Sequence, residues 1–237
     1  GGGQFVSIPT TLDPRQVETD TALFAGTSRY GLTEKLELSG FASFAGSDVR
    51  AVQAGQQVSS DGSFALNDVG VGLSYQFSED DETPAIIGFA RWTLAEATDP
   101  EGDDYAYGRT LNVGLTTYRV IDPLIPTLSV GYRLAAERDV VGQDVDPGDV
   151  LYLNPGVAFA VNDQITLTGG VNFQRIFADE IDGAQFGTDR TRAEMEFGVG
   201  YGVSRDLTLR ANARSEMVGG DGFTLGLSLN YKFGPGR

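Results

Sequence analysis

From Phe223 to Phe233 every second residue is large and apolar, and every residue between is small or polar. Phe223, Leu225, Leu227, Leu229, Tyr231 and Phe233 fall on one face; Thr224, Gly226, Ser228, Asn230 and Lys232 fall on the other. Side chains of an extended chain point alternately to opposite faces, whereas a helix would scatter this pattern around its circumference. Eleven residues at period two predict a strand with one greasy and one wet face.

The same alternation recurs upstream. Leu207, Leu209, Ala211 and Ala213 oppose Arg210 and Arg214, and Met195, Phe197, Val199 and Tyr201 oppose Glu194 and Glu196. Residues 165–174, 128–135, 111–116, 68–77 and 35–44 repeat it, with Arg133, Asp68, Lys35 and Glu37 on the polar faces. In residues 85–95, Trp92 and Arg91 take opposite faces. Residues 150–161 alternate but contain Pro155, which removes a ladder hydrogen bond and predicts a bulge, or pairing only from Gly156 onward. With residues 19–30 these make eleven strands, and the Gln4–Thr10 run makes a twelfth.

Connections alternate in length as well. Gly31–Glu34, Ser78–Pro84, Ile121–Ile125, Asn162–Gln164 and Ser204–Asp206 are tight, whereas 47–63, 96–108, 138–149 and 177–190 are longer and acidic; Gly219–Gly222 is brief. Short periplasmic turns and longer external loops are the layout of a transmembrane barrel. Soluble sandwiches alternate too, but three features separate the cases. The strands run about 10 to 13 residues, long enough to cross lipid at a tilt. Aromatics gather at the ends of the apolar faces: Tyr30, Phe77, Tyr201, Tyr231 and Phe233 by the turns, Phe44, Trp92, Phe173 and Phe223 by the loops. Charges sit mid-strand on the polar faces, where a wet lumen would hydrate them. The fold class expected is all-β, a transmembrane antiparallel up-and-down barrel of twelve strands, since bacterial single-chain barrels use even numbers. Residues 1–233 form one barrel domain in this reading and 234–237 a C-terminal tail or remnant; the opening Gly1-Gly2-Gly3 without Met suggests a trimmed product.

Composition closes off most chemistry. The chain has no Cys and no His, so it offers no zinc site of sulfur or imidazole ligands and no His general base. Thirty-three acidic against 17 basic residues give a net charge of −16, which argues against nucleic acid. No cofactor and no resident metal are expected. The runs Asp99–Asp104 and Asp144–Asp146 supply the hard oxygens calcium prefers without the spacing of a calcium-binding helix–loop–helix, so they read as solvated loops, with divalent bridging to lipopolysaccharide the version open to test.

The string Arg29-Tyr-Gly-Leu-Thr-Glu-Lys-Leu-Glu-Leu38 resembles a hairpin near the N-terminus of a family of Gram-negative barrels. Those proteins are transporters of the phenol-degradation meta-pathway type, related to the twelve-stranded secretion channel of functional-amyloid systems. The resemblance implies an outer-membrane barrel passing small compounds or a secreted chain. It carries over no binding residues. The plug and coiled coil of the amyloid channels have no counterpart here. The final Tyr231-Lys232-Phe233 resembles the C-terminal aromatic signal of outer-membrane proteins, although Gly234-Pro235-Gly236-Arg237 follows.

The function expected is a porin-like channel in the bacterial outer membrane. It would pass small solutes through a narrow, mixed-charge lumen lined by Lys35, Glu37, Asp68, Arg91, Arg133, Glu194, Glu196, Arg210, Arg214 and Lys232. Glycines on the polar faces would leave room for a pore, or would relieve packing in a plugged barrel. The lumen charges would either ladder into cross-strand pairs or form separated rows of opposite sign. The alternative function is a non-conducting barrel that displays acidic loops to a partner or to lipopolysaccharide. Catalysis is not expected, because the membrane-barrel enzymes this architecture resembles use His. Lipid and lipopolysaccharide are the surrounding partners, and both a monomer and a homo-oligomer such as a trimer fit.

Overall fold

A computed structural model describes residues 16–53, 56–60, 64–97, 105–140, 142–219 and 222–233. All regular structure in them is β: β1 (Gln16–Gly31), β2 (Leu36–Gln53), β3 (Gln56–Ser60), β4 (Phe64–Ser78), β5 (Ala85–Ala97), β6 (Tyr105–Tyr118), β7 (Leu124–Ala135), β8 (Arg138–Val140), β9 (Gln143–Asp146), β10 (Val150–Ala160), β11 (Ile165–Ile176), β12 (Asp179–Ile181), β13 (Ala184–Phe186), β14 (Arg190–Gly202), β15 (Leu207–Val218) and β16 (Phe223–Tyr231). Eleven long strands pair in chain order, β1-β2-β4-β5-β6-β7-β10-β11-β14-β15-β16, and every pair is antiparallel. This is an up-and-down sheet curled into a barrel wall, and its eleven strands are the eleven that alternate in the sequence.

The two edges explain the strand count. With eleven strands on the path, β1 and β16 run in the same direction, so direct pairing between them would be parallel. One further strand would close the wall with antiparallel pairs throughout, as in bacterial barrels generally. The expected twelfth, Gln4–Thr10, lies outside the described residues. Leu23–Gly26 of β1 and Leu225 and Leu227 of β16 line one shared cavity of about 440 Å³, so the edges face each other.

Three tight turns share one device. In Leu32–Leu36, Val161–Ile165 and Val203–Leu207 the first amide donates to the fifth carbonyl at 2.8, 2.9 and 2.9 Å. The second residue is Thr33, Asn162 or Ser204, whose side-chain oxygen accepts two further amides at 2.8–3.3 Å. A short polar side chain thus satisfies backbone donors a two-residue hairpin would leave bare. These turns set the register and so decide which face each side chain takes.

Pro155 is accommodated without the expected bulge, and β10 does not begin at Gly156. On the β7 side the ladder is unbroken, with Pro155 opposite Leu128. On the β11 side pairing stops after Leu153–Phe173 and resumes at Gly156–Gly170 in the same register. The missing N–H costs a local gap, not a slip.

The loops also differ from expectation. Residues 138–149 and 177–190 contain a second small sheet, β13-β12-β9-β8, that ties the two connections together. Their aspartates mostly act as caps: Asp139 accepts from the Gly142 amide at 2.9 Å, Asp182 from Asp144 at 3.0 Å and Asp179 from Gly148 at 2.8 Å. Asp99–Asp104 lie outside the described residues. Among the described residues no group of three or more acidic side chains is placed to hold a metal ion.

Among the described residues the apolar core is three small or β-branched residues, Ala85, Val150 and Ala193, and no large side chain is fully buried. The large apolar residues lie on the outer face instead, Leu73, Leu115, Val130, Leu153, Leu167 and Val199 at 40–47% exposure. A water-soluble protein would bury these residues; a continuous apolar exterior of this extent is made for hydrocarbon.

Candidate functional site: the inner wall

The strand register aligns the inner face into rows. Gly72 of β4, Arg91 of β5, Asn112 of β6 and Arg133 of β7 lie side by side. On the same face, Tyr152 and Asn154 of β10 and Asn172 and Gln174 of β11 complete a polar cavity of about 350 Å³. The Tyr152 hydroxyl of β10 reaches past β7 to Asn112 Oδ1 of β6 at 2.9 Å, as side chains converge on the concave face of a sheet, so the polar phase of the alternation is the inside.

The inner glycines are not open space. A Cβ on Gly70 would strike the Phe41 ring, one on Gly114 the Phe89 ring, and one on Gly131 the Tyr152 ring. Each aromatic lies across the neighbouring strand's glycine, flat against the wall, so glycine makes room for a ring and the ring covers exposed backbone. Phe89 and Tyr152, like Asn112 and Asn154, are inner-wall residues that the charge pattern does not single out, whereas Arg192 continues the phase of Glu194 and Glu196. An aromatic in the polar phase of a strand, as at Phe41, is the signal that would find the ring residues.

Charge divides around the wall. On the β14–β15 arc the carboxylates are partnered: Arg214 Nε donates to Glu196 Oε2 at 2.9 Å, Asn212 Nδ2 to Glu196 Oε1 at 3.2 Å, and Arg192 Nη2 lies 2.9 Å from Glu194 Oε1 while also pairing with Glu216. Glu37 faces Arg29 at 3.9 Å, Glu96 faces Arg109 at 3.4 Å, and Asp68 accepts from the Ser43 hydroxyl. Arg210 stands opposite Gly200 and Ser228, and among the described residues it has no carboxylate within 4 Å. Arg91 stacks on Phe41 with its guanidinium carbon 4.3 Å from the ring centre. Lys35 and Lys232 lie just outside β2 and β16, at the turn end, where their backbones bond the neighbouring hairpins. Tyr30, Phe44, Phe77, Trp92, Phe173, Tyr201, Phe223, Tyr231 and Phe233 all project from the outer face, exposed at 42–92%.

At the loop end, Asp189 accepts from Arg175 Nη2 at 2.8 Å and from the Ala178 amide at 3.0 Å. The hydrogen bond from Arg175 holds its carboxyl below the ordinary carboxylate value, so the tie between the β13–β14 connection and β11 persists into more acid solution than an unshifted carboxylate would allow.

No protein-family model matches the sequence, and no curated protein matches it significantly. Solved structures do. The COG4313 outer membrane channel from Pseudomonas putida F1 superposes with a TM-score of 0.65 at 10% identity, over 91% of this chain and 83% of that one. The NanC porin superposes at 0.61 and 11% identity, over 92% of this chain and 98% of the porin. The chain has the fold of an outer-membrane channel barrel. At these identities the likeness is one of architecture, and the residues of the inner wall must speak for themselves.

Proposed function

We propose that the chain is a passive outer-membrane channel for small polar solutes. The observation that carries this is the polar cavity on the concave face, shared by five strands and backed by an apolar exterior. Lys35, Glu37, Asp68, Arg91, Arg133, Glu194, Glu196, Arg210, Arg214 and Lys232 contribute the charge along the path. The outward aromatics form belts at the two membrane interfaces, in contact with lipid and lipopolysaccharide. Tyr30, Trp92, Tyr201 and Tyr231 suit that zone because the body of the ring is apolar and the polar tip can stay wet, and the phenylalanines add apolar area beside them. The Arg29–Leu38 hairpin favours the phenol-degradation transporter branch within this class. Passage in this reading is driven by the solute gradient alone.

Single-channel recording in a planar bilayer tests the reading. Discrete current steps in simple salt are the expected result. A silent bilayer, with insertion demonstrated by a shift in gel migration between unheated and boiled protein, would refute it and leave a closed barrel that displays its loop sheet.

A further inference from the structure

We propose that Arg91 and Arg133 form a binding station for a small hydroxylated dicarboxylate on the inner wall. The inference rests on the channel reading and names the solute class it favours.

The two arginines sit on β5 and β7 with Asn112 of β6 between them. Strands lie about 4.8 Å apart, so their Cα atoms are separated by about 10 Å and both side chains enter the same cavity. Among the described residues neither guanidinium has a carboxylate within 4 Å or a hydrogen bond, although the chain carries a net charge of −16. The carboxylates of Glu194, Glu196 and Glu216, by contrast, are each taken by an arginine on the β14–β15 arc. The Arg91–Arg133 pair is therefore cationic, offset among the described residues only by Glu96 toward Arg133, and that carboxylate is already held by Arg109. Stacking on Phe41 occupies one face of the Arg91 guanidinium and does not use its in-plane N–H edge, the edge that grips a carboxylate in a fork.

The neutral groups narrow the class. Asn112 Oδ1 is occupied by the Tyr152 hydroxyl at 2.9 Å, so its amide nitrogen is the group left to donate. A solute with two carboxylates would neutralise both arginines, and a hydroxyl between them would accept from the Asn112 amide. A cavity of about 350 Å³ admits a four-carbon acid of this kind and water with it. A monocarboxylate satisfies one arginine and leaves the other bare.

Isothermal titration of the folded protein in detergent with L-malate, succinate and acetate tests this. Malate is expected to bind at one site per chain, at least tenfold more tightly than acetate, with succinate between them. Arg91→Gln and Arg133→Gln are each expected to weaken malate tenfold or more, and Asn112→Leu to erase the advantage of malate over succinate. Gel migration of unheated samples verifies that each variant is folded; should a variant fail to fold, the ranking of the three acids on the unaltered protein decides alone. Absence of malate binding, equal binding of malate and acetate, or folded arginine variants with unchanged affinity would overturn the proposal. Failure of the channel reading is distinguishable: malate binding without current would leave the station and remove the pore, whereas current without malate binding would remove the station alone.

Discussion

Val130→Arg is expected to destabilise the barrel by about 2–4 kcal/mol, and Ser129→Arg, one residue away, by about 1 kcal/mol. Val130 is the seventh of twelve residues in β7 and is 41% exposed on the outer face, so an arginine there would meet hydrocarbon near the bilayer midplane. Hydrocarbon offers no hydration and no counter-charge, and snorkelling to the interface is longest from mid-strand. Ser129 lines the inner cavity, where an added guanidinium stays wet. Its cost is the hydrogen bond between Ser129 Oγ and Thr116 Oγ1, 2.9 Å long in the native wall. Urea unfolding in lipid vesicles, followed by tryptophan emission from the single Trp92, gives both values. Equal losses at the two positions would contradict the assignment of inside and outside.

Arg192→Ala is expected to cost about 1–3 kcal/mol. Arg192 Nη2 bridges Glu194 and Glu216, which stand directly opposite each other on β14 and β15. The two carboxylates are only 15% and 12% exposed, so without the arginine two like charges face each other with little water between them. The arginine is itself 42% exposed, which places the loss below that of a fully buried pair. Adding Glu216→Gln to Arg192→Ala is expected to recover most of the stability, because a single remaining carboxylate no longer has a like-charged neighbour. A double variant as unstable as the single one would show that the arginine acts through packing alone.

The strands were legible because lipid and water make opposite demands on alternate residues, and the demand repeats on every long strand. A pattern that strong leaves little doubt about faces. Register is another matter. Alternation assigns Arg210 and Arg214 to the inner wall along with Glu194 and Glu196, yet only the turn geometry decides that Arg214 meets Glu196 while Arg210 meets Gly200. The glycine–aromatic pairs were hidden for the same reason, since Gly131 and Tyr152 are neighbours only once β7 and β10 are aligned. The small loop sheet left no trace because its strands are three or four residues long and pair across 34 residues of sequence, as Glu180 does with Asp146. Strands so short show no period. Pro155 misled in the opposite direction: it marks a real gap in one ladder, which the continuous ladder on its other side holds in place.

The chain's lack of cysteine allows the most direct test of the partition between lumen and lipid. Single cysteines placed at Leu128, Ser129, Val130 and Arg133 of β7 can be challenged in proteoliposomes with a charged, membrane-impermeant maleimide. Labelling at Ser129→Cys and Arg133→Cys, with protection at Leu128→Cys and Val130→Cys, is the expected outcome, because the former pair opens onto the aqueous cavity and the latter onto acyl chains. Labelling in the opposite phase, or at all four positions alike, would contradict a water-filled barrel whose polar face is its lumen.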